Sequence, residues 1–266
     1  MNEFFDQVHQ GRPLEGVSII DMHAHLGPYY NMHIPDSSAS FMLRAMDRCG
    51  IAKTVLSPSF GFDSDLVVGN DLMLKTVDEH PGRFYGAVSV NGNYPELSVA
   101  ELHRSFENPR VVMVKIHPVG AKCKMSDRRM KGIYEFAAAR KLFILVHTWL
   151  DGDPYGSQDL FASVAKDYPD IRWIMGHSGG PYGSHHAVEL ALETPNIFLD
   201  ITLSMAPARQ IEFFVKKVGS ERVLFGTDNP FLDPRPQVGR VGLAEISRED
   251  KLNICSRNAL RHVTFI

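Results

Sequence analysis

The chain has 266 residues, 44% of them hydrophobic and 22% charged, with a formal net charge of -3. That is the composition of a globular domain with no basic surplus for gripping a phosphate backbone, so nucleic acid is not an expected partner. The opening segment MNEFFDQVHQGRP has acids and no apolar h-region, and no apolar run approaches the ~18 residues of a bilayer span. The expectation is a cytoplasmic protein without a membrane partner. Cys49, Cys123 and Cys255 lie far apart, form no C-x-x-C pair and are expected to be reduced thiols.

Eight short apolar, β-branched runs recur along the chain: VSIID from Val17, KTVLS from Lys53, FYGAVSV from Phe84, VVMVKIH from Val111, LFILVH from Leu142, IRWIMGH from Ile171, IFLDIT from Ile197 and RVLFGTD from Arg222. Their starts fall roughly thirty residues apart, the length of one strand-helix unit. Continuous rather than alternating apolarity predicts parallel strands covered on both faces. Helices are predicted in between: SSASFMLRAMDRCG with a Ser start and a Gly50 stop, PELSVAELHRSFE with Pro95 in its first turn, DRRMKGIYEFAAARK, MAPARQIEFFVKKVG, and SREDKLNICSRNALRHV opening at Ser247. NPFLDPRPQ from Asn229 reads as a loop. The alternation predicts an α/β fold, a single-domain (β/α)8 TIM barrel over residues 1–266, with a doubly wound open sheet as the other arrangement that alternates this way.

Five of the eight strands end in metal-binding or proton-handling residues: His23 and His25, Lys115 and His117, His147, His177, and Asp228. Parallel strands in a barrel all open their C-terminal ends onto one face, so these side chains should converge. Residues i and i+2 of a strand share a side, which lets His23 and His25 aim at one point. With His147 and Asp228 they make up the three or four protein ligands of a catalytic divalent ion, most simply Zn, with Mn or Fe as alternatives, and one open position for water. Lys115 lies in a strand that reads as buried, where lysine needs a partner.

The motifs DMHAHLG, VKIHP, LVHTW, GHSGG, FGTDNPF and RNALRHV, in that order from Asp21 to Val263, resemble the amidohydrolase superfamily, in particular its branch of aminocarboxymuconate-semialdehyde decarboxylase-like enzymes. The resemblance implies that His23, His25 and His147 are metal ligands, that Asp228 binds metal and accepts a proton from water, and that His177 contacts water or substrate. Lys115 would bridge a second ion only if carboxylated; one metal is the expectation, with the unmodified amine on a substrate carboxylate as its competing role. Tyr29, Tyr30, His33, His117 and Trp149 are the candidate substrate contacts near the mouth. His185 and His186 should begin a helix, and Arg235 and Arg240 are candidates to pair with an anionic substrate, a solvated role being commoner. A homodimer is carried over from related barrels.

The expected activity is metal-dependent hydrolysis of a small carboxylated ester, lactone or amide. The alternative is non-oxidative decarboxylation or hydration of an aromatic or muconate-like acid at the same site. The compact chain favours hydrolysis. A non-enzymatic metal-binding scaffold would need the open coordination position plugged.

Overall fold

The computed structural model describes residues 3–149, 152–203 and 205–266. Eight strands, β1 Ile19–Leu26, β2 Ile51–Pro58, β3 Phe84–Val90, β4 Val111–Ile116, β5 Phe143–His147, β6 Arg172–Gly176, β7 Ile197–Asp200 and β8 Val223–Leu224, pair in sequence order and in parallel. The ends of this sheet meet. The Met22 N–H donates to the Phe225 carbonyl at 2.9 Å, and the N–H groups of Thr227 and Asp228 donate to the His23 carbonyl at 3.1 and 2.8 Å. The result is a nearly closed (β/α)8 barrel in a single domain, as the alternation predicts; the open sheet is not found.

Two apolar layers follow from the period-two geometry of the strands. Val114, Ile144, Val146, Trp173 and Leu199 pack between the sheet and the helices. Met22, Val55, Ala87, Met113, Leu145, Ile174, Phe198 and Leu224 fill the barrel interior. Val263 and Phe265 join that interior cluster from the end of the chain, and the Tyr85 hydroxyl donates to the Ile266 carbonyl at 2.6 Å, which seals the end opposite the polar strand tips.

Two residues beyond the last interior apolar position, each strand or its extension reaches the mouth: Ser57, Ser89, Lys115, His147, Gly176, Asp200 and Gly226 share this phase. Strand β1 departs from it. Ile20 and Met22 belong to the interior, yet Ala24 and Leu26 belong to the outer layer. The pairing register with β2 shifts between Asp21 and Ala24, and this irregularity turns both His23 and His25 inward. Asp21 fastens the displaced strand: Oδ1 accepts the N–H groups of His23 and Thr227, both at 3.1 Å, and Oδ2 accepts the Thr227 hydroxyl.

The helices largely follow their sequence signals. Ser38 caps Ala39–Cys49 by accepting the Phe41 N–H, and Gly50 ends it at φ 70°; Ser247 and Asp250 form a reciprocal capping box. Residues 248–262 contain a wider π turn over Asn253–Arg257 between the α-helical pieces Arg248–Leu252 and Asn258–His262. One expectation is corrected: the segment read as a loop from Asn229 to Gln237 enters a helix, Arg235–Leu243. Pro236 is compatible with this because the first helical turn needs no N–H from it. The three cysteines are free and buried, and no described helix is long and apolar enough to cross a membrane.

Two glycines, Gly176 and Gly226, make room at the mouth. A Cβ on Gly226 would lie 2.1 Å from Thr202 Oγ1, 2.6 Å from Asp200 Oδ1 and 2.7 Å from the His23 Cβ. Gly226→Ala should therefore destabilise the fold by about 1–3 kcal/mol through overpacking, read as a lowered denaturation midpoint in urea. An unchanged midpoint would contradict this packing.

Candidate metal centre and cavity

The strand tips bring His23, His25, Lys115, His117, His177 and Asp228 to one buried cluster with the part-buried His147 beside them, as the strand-end pattern predicts. Asp200, at the tip of β7, joins them and was not among the expected residues. Its signal was present in IFLDIT: it lies two residues after the interior Phe198, in phase with His147 and Lys115.

Hydrogen bonds fix which ring nitrogens carry protons. Asp200 Oδ2 lies 2.7 Å from His23 Nδ1 and also accepts the His177 N–H at 3.0 Å. Its Oδ1 accepts from Thr202 N and Oγ1. A carboxylate this well satisfied takes the Nδ1 proton of His23 as a donor, leaving Nε2 as a lone pair. The Ser57 hydroxyl donates to the Ala24 carbonyl at 2.8 Å, so it accepts from His25 Nδ1 at 3.1 Å, and His25 Nε2 is again a lone pair. Both lone pairs face the same atom: Asp228 Oδ1 is 2.8 Å from His25 Nε2 and 3.4 Å from His23 Nε2.

Three acceptors therefore meet with no proton to share among them. The cation at hand is Lys115, wholly buried, whose Nζ stands 3.2 Å from His23 Nε2. Two imidazole nitrogens and a carboxylate oxygen are a fitting donor set for a divalent transition ion. His23, His25 and Asp228 are one of two groupings among the described residues whose ligand atoms lie within 4.8 Å of one another; His23, His177 and Asp200 are the other. The donor atoms of this second grouping are already committed. His23 Nδ1 is bound to Asp200, His177 Nδ1 donates to the Thr202 carbonyl at 3.0 Å, and His177 Nε2 accepts from His147 Nδ1 at 3.1 Å. That chain leaves His147 with a free Nε2, although His147 belongs to neither grouping.

Burial lowers the proton affinity of the imidazoles. His25 is pushed down to about 3 by burial, against the pull of Asp228; His23 is lowered by burial and by the Lys115 charge; His117 and His147 fall well below their ordinary range for the same two kinds of reason. Lys115 is lowered to about 8 by burial. Burial opposes ionisation of Asp200 and Asp228, but the neighbouring histidines outweigh it and hold both carboxyls below the usual range. Burial thus disfavours the charged forms of His23, His25, His117 and His147, while Asp200 and Asp228 stay ionised.

His177 and Asp228 both adopt left-handed backbone, each at φ 65°. Aspartate tolerates this conformation better than most residues, and the Asp228 N–H bond to the His23 carbonyl holds the turn that swings its carboxylate over β1.

A cavity of about 370 Å³ opens onto this cluster, lined by His25, His117, His147, His177 and Asp228 at its floor. Ring systems wall it. Phe231 stacks on His25 with centroids 4.3 Å apart and on Tyr29 at 5.5 Å; His147 stacks on His117 at 4.2 Å and on Trp149 at 5.9 Å, and Tyr29 meets His117 in a tilted contact at 6.0 Å. Phe231 was not anticipated, although it directly follows the Asp228-Asn229-Pro230 turn. Tyr29 is half-buried and its hydroxyl is pushed up to about 12 by burial; Tyr30 lines the rim and is 79% exposed.

Other expected contacts do not reach the cavity. His33 is exposed and absent from its wall. Arg235 is forked onto Asp233, and Arg240 donates to the Ile201 carbonyl, Gln237 and Gln210; neither lines the cavity. His185 and His186 do open the helix Ser184–Glu193, where His186 pairs with Asp159.

Comparison with known proteins gives the same picture at the level of fold. The chain superimposes on the 5-carboxyvanillate decarboxylase from Sphingomonas paucimobilis with a TM-score of 0.74 at 16% identity, over 94% of this chain and 100% of the other. The 2,6-dihydroxybenzoate decarboxylase from Rhizobium gives 0.74 at 16%, over 93% and 98%. The 5-carboxyvanillate decarboxylase from Novosphingobium aromaticivorans, complexed with manganese and 4-hydroxy-3-methoxy-5-nitrobenzoic acid, gives 0.72 at 15%, over 92% and 96%. The sequence model of the family described as amidohydrolase matches residues 20–265. With that match spanning the whole barrel, the chain belongs to the amidohydrolase family.

Proposed function

We propose that this protein is a divalent-metal-dependent, non-oxidative decarboxylase of a small aromatic acid. The observation that carries this reading is the lining of the cavity: the rings of Tyr29, Phe231, His117, His147 and Trp149 border the same space as Asp228 and His25. A ring-rich lining beside a candidate metal centre suits an aromatic acid whose acidic end meets that centre. The superimposable decarboxylases are named for ring acids, which supports this choice over the hydrolysis that chain length favoured; the superpositions span 96–100% of those chains, so length does not separate the two chemistries.

In this reading His23, His25 and Asp228 hold the ion, and His147 is the candidate fourth ligand through its unused Nε2. A bound divalent ion supplies a Lewis acid for the oxygens of the substrate's carboxylate and neighbouring hydroxyl. Asp228 borders both the ligand cluster and the cavity, and acts as the proton shuttle. The ionised Asp228 takes the proton of the substrate's neighbouring hydroxyl and passes it to the ring carbon that bears the carboxylate; the bond from that carbon to the carboxyl group breaks, its electron pair restores the aromatic ring, carbon dioxide leaves, and the resulting phenolate takes a proton from solvent. The stacked rings hold the substrate plane so that the carboxylated carbon faces Asp228. The Thr202–His177–His147 hydrogen-bond chain fixes the orientation of His147. Lys115 remains an unmodified amine in this scheme.

Three outcomes are expected. Purified protein reconstituted with Mn(II) or Zn(II) should bind one ion per chain, and His25→Ala should lose most of that content by elemental analysis; a full complement in the variant would move the ion elsewhere. Asp200→Asn should weaken metal affinity roughly 10–100-fold, because the partner that orients His23 is altered, measured by competition with a chelator. Hydroxybenzoates incubated with the loaded enzyme should release carbon dioxide, and Asp228→Asn should suppress the release by at least about 100-fold. Turnover of small esters or lactones with no carbon dioxide from any ring acid would return the assignment to hydrolysis.

A further inference from the structure

The cavity wall has an uneven distribution of charge. Its lining residues include the carboxylates of Asp228 at the floor and Asp153 on the loop that follows β5, together with tyrosine, asparagine, histidine and apolar side chains, but no lysine or arginine among the described residues. The residues outside the described set, Met1, Asn2, Leu150, Asp151 and Ser204, contain no cation either. Lys115 is sealed behind the histidines, with its Nζ on His23. An anionic group on a ligand therefore finds a positive partner only at the ligand cluster once an ion is bound there.

Asp153 lies six residues beyond the end of β5 and lines the same cavity as Asp228. Its Oδ1 accepts the N–H groups of Tyr155 at 2.8 Å and Gly156 at 2.6 Å, which fixes the side chain in a tight turn. The Gly156 carbonyl accepts the Trp149 N–H at 3.4 Å, and a Cβ at Gly156 would lie 3.1 Å from the His147 carbonyl, so that turn is held beside the cavity wall. Oδ2 makes no hydrogen bond to any described residue and remains an acceptor. The side chain is part-buried, so its charge is incompletely screened by water.

We infer that the substrate carries a single carboxylate and, apart from it, a hydrogen-bond donor such as an amino or hydroxyl group, and that Asp153 selects for that donor. The inference rests on the reading of this cavity as the site of a small aromatic acid. It also sets this chain apart from two of the proteins it superimposes on, since 5-carboxyvanillate, by its name, is a ring with two carboxylates. A second carboxylate here would meet the fixed Asp153 anion with nothing to offset it, whereas a donor would meet an oriented acceptor.

Calorimetric titration of the Mn(II)-loaded protein with three probes tests this: 2-hydroxybenzoate, 4-amino-2-hydroxybenzoate, and 2-hydroxybenzene-1,4-dicarboxylate. The amino acid should bind tighter than the dicarboxylate by at least about fivefold, the effect of one like-charge contact at ~4 Å in a watery setting. Asp153→Asn keeps an oxygen for the turn and should close that gap, and Asp153→Lys should reverse it. The inference is overturned if the dicarboxylate binds as well as the amino compound, if the gap survives Asp153→Asn, or if none of the three binds. Binding is read independently of turnover: discrimination without carbon dioxide release would defeat the decarboxylase reading and leave the role of Asp153 standing, while release with no discrimination would do the opposite.

Discussion

The short hydrogen bond between Asp200 and His23 decides the chemistry of this barrel mouth. By taking the Nδ1 proton it forces the Nε2 lone pair of His23 toward Asp228, where the lone pair of His25, fixed in the same way by Ser57, already points. Three acceptors pressed together in a water-poor site are costly unless a cation sits among them. The fold commits several features to this arrangement: the register irregularity in β1, the Asp21 clamp to Thr227, and the glycines at 176 and 226, where a side chain would strike His23 or its neighbours. The tension is local, and the apolar barrel beneath it is conventional.

Much of this was legible in the sequence. The eight apolar runs gave the strands because parallel strands covered on both faces are apolar throughout, and the ends of those runs pointed to His23, His25, Lys115, His147 and Asp228. Asp200 was passed over because one carboxylate after Ile-Phe-Leu looks like an ordinary strand terminus; counting its phase from the interior Phe198 would have marked it. The grouping of ligands was less accessible still. His177 and His147 look equivalent to His23 as letters, and only the hydrogen bonds to Thr202 and between the two rings separate committed nitrogens from free ones. The loop assigned from Asn229 to Gln237 holds through Pro234 and runs three residues too far for a simpler reason: Pro236 reads as a breaker where it stands in a first helical turn.

Substrate recognition divides along the same line. The aromatic walls depend on residues from distant loops, Tyr29 after β1, His117 after β4, Trp149 after β5 and Phe231 after β8. No local pattern announces that they stack, and Phe231 was invisible for that reason. His33, Arg235 and Arg240 looked eligible by type and neighbourhood, but His33 is turned to solvent and the two arginines have partners of their own. A family barrel can host many chemistries on one set of strand-end ligands; here the walls and the charge of the rim narrow the choice more than the ligands do.

The central claim is that a divalent ion belongs among His23, His25 and Asp228. An anomalous difference map from crystals grown with Mn(II) tests it most directly. The account predicts a single peak within ~2.0–2.3 Å of His23 Nε2, His25 Nε2 and an Asp228 carboxylate oxygen. A peak between His177 and Asp200, or none near His25, would contradict it.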